Sequence, residues 1–284
     1  MIMLPKKMRI YIVTYQGHKR INPTLNSILE SDVAAFFDYE IFIINNHSDL
    51  RLSEYHKHHP QITVLENTLR PDFSSGHLSR NWNQALVNGF ESLTNPACDV
   101  VVCSQDDSIF FKCWAYRLRN LFWPSVDVRE NLTFVQNGHG DQFHAYLPEA
   151  VRQVGLWDER FCGISLQAAD YFWRCCMYNQ EHSSIQDPIH HRVLNPIVQN
   201  LEVARNWLVD SDVRQLGEVW DNTPHNNGPI SAKLIEYKYG TDPYPWTPAK
   251  LEMAKRSHTL TPNHITYPYF EKDVYDLEQK GYLV

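Results

Sequence analysis

Apolar and polar positions change period along the chain, and the first half alternates between two patterns. Arg9–Tyr15 (RIYIVTY) is a short β-branched and aromatic run that predicts a strand. From Asn22 to Phe37, Leu25, Ile28, Leu29 and Val33 fall on one face at helical spacing, which predicts a helix. Glu40–Ile44 (EIFII) predicts a second strand, ended by the polar turn Asn45-Asn46-His47-Ser48-Asp49, and Ile62–Leu65 (ITVL) predicts a third. Asn81–Leu93 predicts a second helix with Trp82, Ala85, Leu86, Gly89 and Phe90 turned inward. Asp99–Cys103 (DVVVC) predicts a fourth strand, apolar on both faces.

Strands apolar on both faces belong inside a parallel sheet covered by helices. Their alternation with helices predicts a doubly wound α/β layer with right-handed crossovers. Ligands of such sheets bind outside the carboxyl ends of the strands. The polar clusters Thr14–Arg20, Asn45–Asp49, Asn67–Arg80 and Ser104–Ser108 fall at those ends, so the pattern places a site before any motif is read.

From about Trp114 the pattern changes. Phe134–Tyr146 predicts one or two strands around the turn Asn137-Gly138-His139-Gly140. Pro148–Val154 predicts a short helix and Leu166–Tyr178 a longer one. Past His190 the chain reads as irregular and rich in Pro, Trp and Tyr, as in Pro243-Tyr244-Pro245-Trp246. That is too aromatic for a disordered tail. It predicts two parts: an α/β core over residues 1–198 and an extension over 199–284 packed on it.

Charge and composition narrow the function. Lys and Arg number 26 against 33 Asp and Glu, a net charge of −7, and hydrophobic residues are 43% of 284. This is a globular balance without the basic face of a nucleic-acid binder, although one basic pocket for a phosphorylated ligand remains compatible with it. Six cysteines form no CxxC pair, and two of them, Cys175 and Cys176, are adjacent. Structural zinc is disfavoured, and reduced, mostly buried thiols in a reducing compartment are expected. The opening MIMLPKKMRIYIVTY reads as a first strand rather than a secretion signal. No stretch reaches the roughly 18–20 apolar residues of a membrane span. The expected location is the cytoplasm, with peripheral contact to a membrane compatible with the pattern.

Four constellations carry candidate chemistry. Ser104-Gln105-Asp106-Asp107 follows the fourth strand, where two carboxylates suit a hard divalent cation with a diphosphate, or else form a solvated turn. Arg70 to Asn81 contains Ser74, Ser75, Gly76, His77 and Arg80 before a helix start, suited to an anion site or to an ordinary capped loop. Asp170 lies among the aromatics Tyr171, Phe172 and Trp173, and either serves the site or pairs with Arg174 four residues on. His56, His58 and His59 read as surface residues, whereas His190 or His191 would complete a metal or phosphate site or serve structure. No GxSxG, P-loop or GxGxxG is present, which excludes the simple hydrolase, NTPase and dinucleotide readings.

The order of these pieces resembles that of the GT-A glycosyltransferases, in particular the inverting family 2 type. IYIVTYQGHKR looks like that family's first strand and Thr-Tyr-Asn-Arg-like turn, and IFIINNHSD like its second strand and acidic turn. GHLSRNWNQAL resembles its Gly…Ala-Arg-Asn-x-Gly helix start, and VVVCSQDDSIF the strand ending in its Asp-x-Asp metal motif. FHAYLPEAVRQVGLWDERF is similar to its Val-Gly-Gly-Phe-Asp-Glu-Arg-Phe segment, and LQAADYFWRC falls where the family has Glu-Asp-x-Asp-x-x-x-Arg. The resemblance covers about residues 8–195, and VGLWDERF is its most specific part. This chain departs at three places: Gln105 replaces the first metal-motif acid, Asn45 and Asn46 replace the acids after the second strand, and Gln167-Ala168 replaces the Glu-Asp pair.

The resemblance implies a GT-A, Rossmann-like, mostly parallel sheet flanked by helices. It implies transfer of a sugar, with inversion, from a nucleotide-diphosphate sugar to the hydroxyl of a glycan or lipid-linked acceptor in carbohydrate biosynthesis. Mn²⁺ or Mg²⁺ would be held by Asp107 with Asp106, and His191 is a further candidate ligand. Thr14, Tyr15, Asn45, Asn46, Asp49, His77, Arg80 and Asp106 would contact the donor. Asp170 would be the base, with Asp158 second. Two other classes stay open: a sugar- or nucleotide-binding protein that kept the fold without turnover, and a nucleotidyltransferase. The latter needs a Gly-rich loop after the first strand, and Tyr15–Arg20 has a single Gly17.

Overall fold

A computed structural model describes residues 6–15, 20–47, 50–67, 78–124, 133–136, 143–161, 166–182, 228–241, 249–250, 252–253, 277 and 279–282. The strands are β1 (Lys6–Thr14), β2 (Phe37–Asn45), β3 (Ile62–Glu66), β4 (Val100–Gln105), β5 (Phe134–Gln136) and β6 (Phe143–Tyr146). The helices are α1 (Ile21–Leu29), α2 (Val33–Phe36), α3 (Glu54–Lys57), α4 (Leu78–Phe90), α5 (Trp114–Phe122), α6 (Pro148–Val154), α7 (Leu166–His182) and α8 (Gly228–Tyr239). The six strands form one sheet in the order β3-β2-β1-β4-β6-β5. β3, β2, β1 and β4 run parallel, and β6 is antiparallel to both β4 and β5. This is the mostly parallel, helix-flanked α/β sheet that the pattern predicts.

Alternation along β1 divides the core. Tyr11 and Val13 join a cluster with α4, α7 and α8, whereas Met8, Ile10 and Ile12 join one with α1 and α5. α4 lies so close to β4 that a Cβ on Gly89 would sit 2.4 Å from Val101 Cγ2. No larger residue fits there without displacing the helix from the sheet.

Several expectations change. The helix predicted over Asn22–Phe37 ends at Leu29, and β2 already begins at Phe37. A second short helix, α2, follows from Val33 to Phe36 with Asp32 at its N-cap, and the Asp32 carboxylate accepts from the N–H groups of Ala115 and Tyr116, each at 3.1 Å, and so caps α5. His56 is not at the surface: it is buried, with Nδ1 2.8 Å from Asn22 Oδ1 and Nε2 3.0 Å from Asn26 Oδ1. His58 is exposed, as expected. Cys98, Cys103 and Cys175 are buried free thiols, but Cys113 is exposed. The stretch past His190 is not wholly irregular, since it contains α8, whose Ile235 and Tyr239 enter the core together with Leu277 and Tyr282. Most of the proposed extension lies outside the described residues. Among the described residues, no helix is long and apolar enough to cross a membrane.

His144 on β6 is fully buried, and neither ring nitrogen has a hydrogen-bond partner among the described residues. Trp157, Trp82, Phe134 and Tyr146 surround it, with the nearest ring centroid 5.1 Å away. Burial pushes its pKa from 6.5 to about 3, so the folded protein holds the neutral ring. The unfolded chain takes up a proton first, so this residue's contribution is complete above pH 6.5 and drains away as pH falls toward about 3. His144→Phe is therefore expected to move the acid-unfolding midpoint to lower pH in far-UV circular dichroism. An unmoved midpoint would refute the neutral-core assignment.

Candidate functional site

The parallel register brings the carboxyl ends of the strands level. Thr14 is opposite Asn45, Val13 opposite Gln105, and Asn45 opposite Glu66. In a parallel sheet these ends point the same way, so their side chains share one edge. That edge is lined with hydroxyl, amide and carboxylate groups rather than with the apolar residues of the strand centres.

Asp106 and Asp107 form the turn that leaves β4, and both are buried. The Asp106 carboxylate accepts from Thr14 Oγ1 at 2.5 Å and from the backbone N–H of Tyr15. Arg20 Nη2 lies 3.1 Å from its Oδ1. Its backbone is held too, as Asp106 N donates to Val13 O at 3.1 Å and Thr24 Oγ1 donates to Asp106 O at 2.6 Å. Burial raises the Asp106 carboxyl above its ordinary value, against the opposing pull of Arg20 and Thr14. Asp107 differs. Its Oδ1 has no hydrogen-bond partner among the described residues, and burial together with the neighbouring Asp106 pushes its carboxyl up to about 6. A buried carboxylate oxygen without a partner is costly. It fits a hard cation, which supplies the missing charge.

Along the edge, Asn45 Nδ2 donates to Glu66 Oε2 at 2.7 Å. Asn67 Nδ2 reaches Asn46 Oδ1 at 3.1 Å and Gln84 Oε1 at 2.8 Å. The Tyr15 and His47 rings meet edge to face at 5.1 Å. Asn45 is thus fixed by Glu66 at the end of β3, and Asn46 by Asn67, which Gln84 of α4 holds in turn. Thr14, Tyr15, Asn45, Asn46, Asp106 and Asp107 lie together at this edge, while Asp49, His77 and His191 lie outside the described residues.

The WDERF segment is tied to α4. Asn83 Nδ2 donates to Trp157 O at 2.9 Å and to Glu159 Oε1 at 2.8 Å, and Asn83 Oδ1 accepts from Trp157 N at 2.7 Å. Arg80 Nε lies 3.2 Å from Glu159 Oε2, with both side chains buried. The guanidinium expected to meet a donor phosphate therefore already has a carboxylate of its own chain.

Asp158 and Asp170 form a second cluster with cations. Asp158 pairs with Arg160 Nη2 at 2.6 Å and with Lys238 Nζ at 3.1 Å. Asp170 pairs with Arg174 Nε at 3.1 Å, accepts from Tyr239 Oη at 2.6 Å, and is also bonded by Lys238. Burial alone would raise the Asp170 carboxyl, but Lys238 and Arg174 outweigh it and hold it below the carboxylate range. Of the two readings of Asp170, the pair with Arg174 is present. Lys238 and Glu159 were not expected here. Glu159 lies inside the quoted motif, whereas Lys238 sits in the plain run IEYKY and carries no sequence signal.

Removing Lys238 strands two buried carboxylates. Lys238→Met is expected to cost about 3–5 kcal/mol, the usual size for breaking one side of a buried pair. The double variant Lys238→Met/Asp170→Asn should recover part of that loss. Denaturant unfolding of both measures it, and a single variant within 0.5 kcal/mol of the parent would show the cluster to be energetically idle.

Comparison with known proteins gives no matching family model and no matching curated protein. Among solved structures, Staphylococcus aureus TarS residues 1–349 is similar at 12% identity over 63% of this chain and 67% of that one, with a TM-score of 0.38. The same protein in complex with UDP is similar at 14% identity over 59% and 55%, with a TM-score of 0.39. Glucosyl-3-phosphoglycerate synthase from Mycobacterium tuberculosis, in complex with Mn²⁺, UDP and phosphoglyceric acid, gives 13% identity over 60% and 65%, with a TM-score of 0.35. This chain thus spans between 55% and 67% of the chains it matches. Overlap this loose leaves the chemistry to be argued from the residues themselves.

Proposed function

We propose that this protein is a glycosyltransferase that takes a sugar from a nucleotide-diphosphate donor and passes it, with inversion, to an acceptor hydroxyl. The observation that carries the reading is the buried Asp107 carboxylate with an unpartnered oxygen, set at the carboxyl edge of a parallel sheet beside Thr14 and Asn45. In this reading Asp107 is the protein ligand to Mn²⁺ or Mg²⁺. The metal, when bound, stabilises the leaving nucleoside diphosphate. Tyr15, Asn45 and Asn46 form the wall against which the nucleoside rests. The acceptor is a glycan or a lipid-linked sugar, in the cytoplasm or at a membrane surface. The N-terminal 198 residues are the catalytic part, and residues 199–284 cover it.

A second reading is favoured by a specific observation. Asp170 and Asp158, the expected proton acceptors, are both closed into ion pairs with cations of their own chain. The Asp170 carboxylate, held below its ordinary range by Lys238 and Arg174, is a poor base. A protein that binds a nucleotide sugar without turning it over would have this arrangement.

Two measurements separate the readings. Thermal unfolding is followed with nucleoside diphosphates and nucleotide sugars, with and without Mn²⁺. A ligand at 100 times its Kd is expected to stabilise by about 2.7 kcal/mol. Asp107→Asn should erase the Mn²⁺-dependent part of that shift, and an Mn²⁺ effect that persists in the variant would remove Asp107 as the ligand. Nucleotide release from the sugar nucleotide that binds is then followed in the parent and in Asp170→Asn. A loss of about 10²–10⁴-fold with binding intact assigns Asp170 as the base. Near-parent turnover makes it an anchor, and no turnover in the parent supports the binding protein.

A further inference from the structure

Asp106 and Asp107 are adjacent in sequence and alike in burial, yet their surroundings differ. The Asp106 carboxylate already accepts from the Thr14 hydroxyl and the Tyr15 N–H and faces the Arg20 guanidinium at 3.1 Å from Oδ1 and 3.4 Å from Oδ2. Its lone pairs are largely used and its charge is matched. Arg20 closes the loop after β1 and stands at the N-terminus of α1, and its side chain is only 10% exposed. Among the described residues Asp106 is the carboxylate that pairs with it, and its Nε is buried there without a hydrogen-bond partner. Asp107, by contrast, has no hydrogen-bond partner at Oδ1 among the described residues.

We propose that Arg20 is a positioning residue that sets the charge of this site: it pairs with Asp106, takes that carboxylate out of metal ligation, and leaves Asp107 as the single acid that meets a divalent cation. The inference rests on the cation-binding part of the glycosyltransferase reading. Its physical content is electrostatic. Arg20 and Asp106 carry opposite charges 3.1 Å apart, so a cation held at Asp107 would meet them as a paired dipole rather than as a net charge. In a buried site with an effective dielectric constant of roughly 20, either charge left alone acts strongly on a divalent ion. The neutral Gln105 at the preceding position adds no charge to this balance.

Mn²⁺ titration of the full chain, followed by electron paramagnetic resonance without nucleotide, tests the assignment. Arg20→Met exposes the cation to both carboxylates and is expected to tighten Mn²⁺ binding by about tenfold or more. Asp106→Asn leaves Arg20 uncompensated and should weaken it by about tenfold or more. The double variant Arg20→Met/Asp106→Asn restores the charge balance and should return to within about threefold of the parent. Arg20→Lys keeps the charge and should also stay near the parent. A purely structural Arg20 would lower stability in every variant without this reversal of sign. Unchanged or weaker binding in Arg20→Met overturns the proposal. So does a double variant as weak as Asp106→Asn, which would make Asp106 a direct ligand, or the absence of Mn²⁺ binding in all four variants and the parent. If Arg20→Met fails to fold, the charge-balanced double variant and Asp106→Asn decide the matter alone. Adding UDP in a separate arm keeps the two readings apart. The Mn²⁺ pattern without any nucleotide binding would sink glycosyl transfer and leave the role of Arg20 standing.

Discussion

The Asp106 carboxylate is the point on which the candidate site depends. Through its side chain it holds the end of β1 at Thr14 and Tyr15 and the start of α1 at Arg20. Through its backbone it is fixed to Val13 and Thr24. One residue thereby joins the two central parallel strands to the first helix. Charge-assisted hydrogen bonds are about twice as strong as neutral ones, and they are directional. The edge is consequently a fixed surface rather than a set of independent loops. The cost of the arrangement is borne next door, where Asp107 is left buried beside a like charge with one oxygen unsatisfied. Such a local deficit is tolerated where a ligand makes it good.

The second charge cluster has a different logic. Asp158 and Asp170 come from separate segments of the α/β part, and Lys238 reaches both from α8. Arg174 completes the group, with Nη1 donating to Val154 O at 2.7 Å. Burying four charges brings little net stability, because desolvation offsets most of the attraction. The geometry of the pairing is specific, however: the Lys238 ammonium lies between two carboxylates contributed by different segments. Burial lowers the Lys238 ammonium from its ordinary value, and the two carboxylates oppose that shift. The Asp158 and Asp170 carboxylates are thus engaged in holding α8.

Between these clusters runs the link from α4 to the WDERF segment. Asn83 and Arg80 on one face of the helix bind the Trp157 backbone and the Glu159 carboxylate. The same helix presses against β4 at Gly89. The helix is thereby anchored both to the WDERF segment and to the start of β4 at Val101.

Much of this was legible in the sequence. The apolar runs at Arg9–Tyr15, Glu40–Ile44, Ile62–Leu65 and Asp99–Cys103 became β1 to β4, and the reason is plainest for β4, which is apolar because it is buried on both faces. Placing the site at their carboxyl ends required only that topology. Short-range pairs such as Asp170 with Arg174 were also readable, since helical spacing fixes which residues meet. Contacts that cross the chain were not. Asp32 caps α5 across more than eighty residues of sequence, a contact that no local pattern records. Lys238 lies 68 residues from Asp170, and nothing in IEYKY marks it as buried. Local pattern records the period of burial, and it thereby determined the strands, most of the helices and the edge where polar groups gather. Which charge neutralises which across the chain depends on distances set only when distant segments pack, so the tertiary structure alone decided that Asp106 pairs with Arg20, that Lys238 joins Asp170, and that Asp107 Oδ1 has no partner among the described residues.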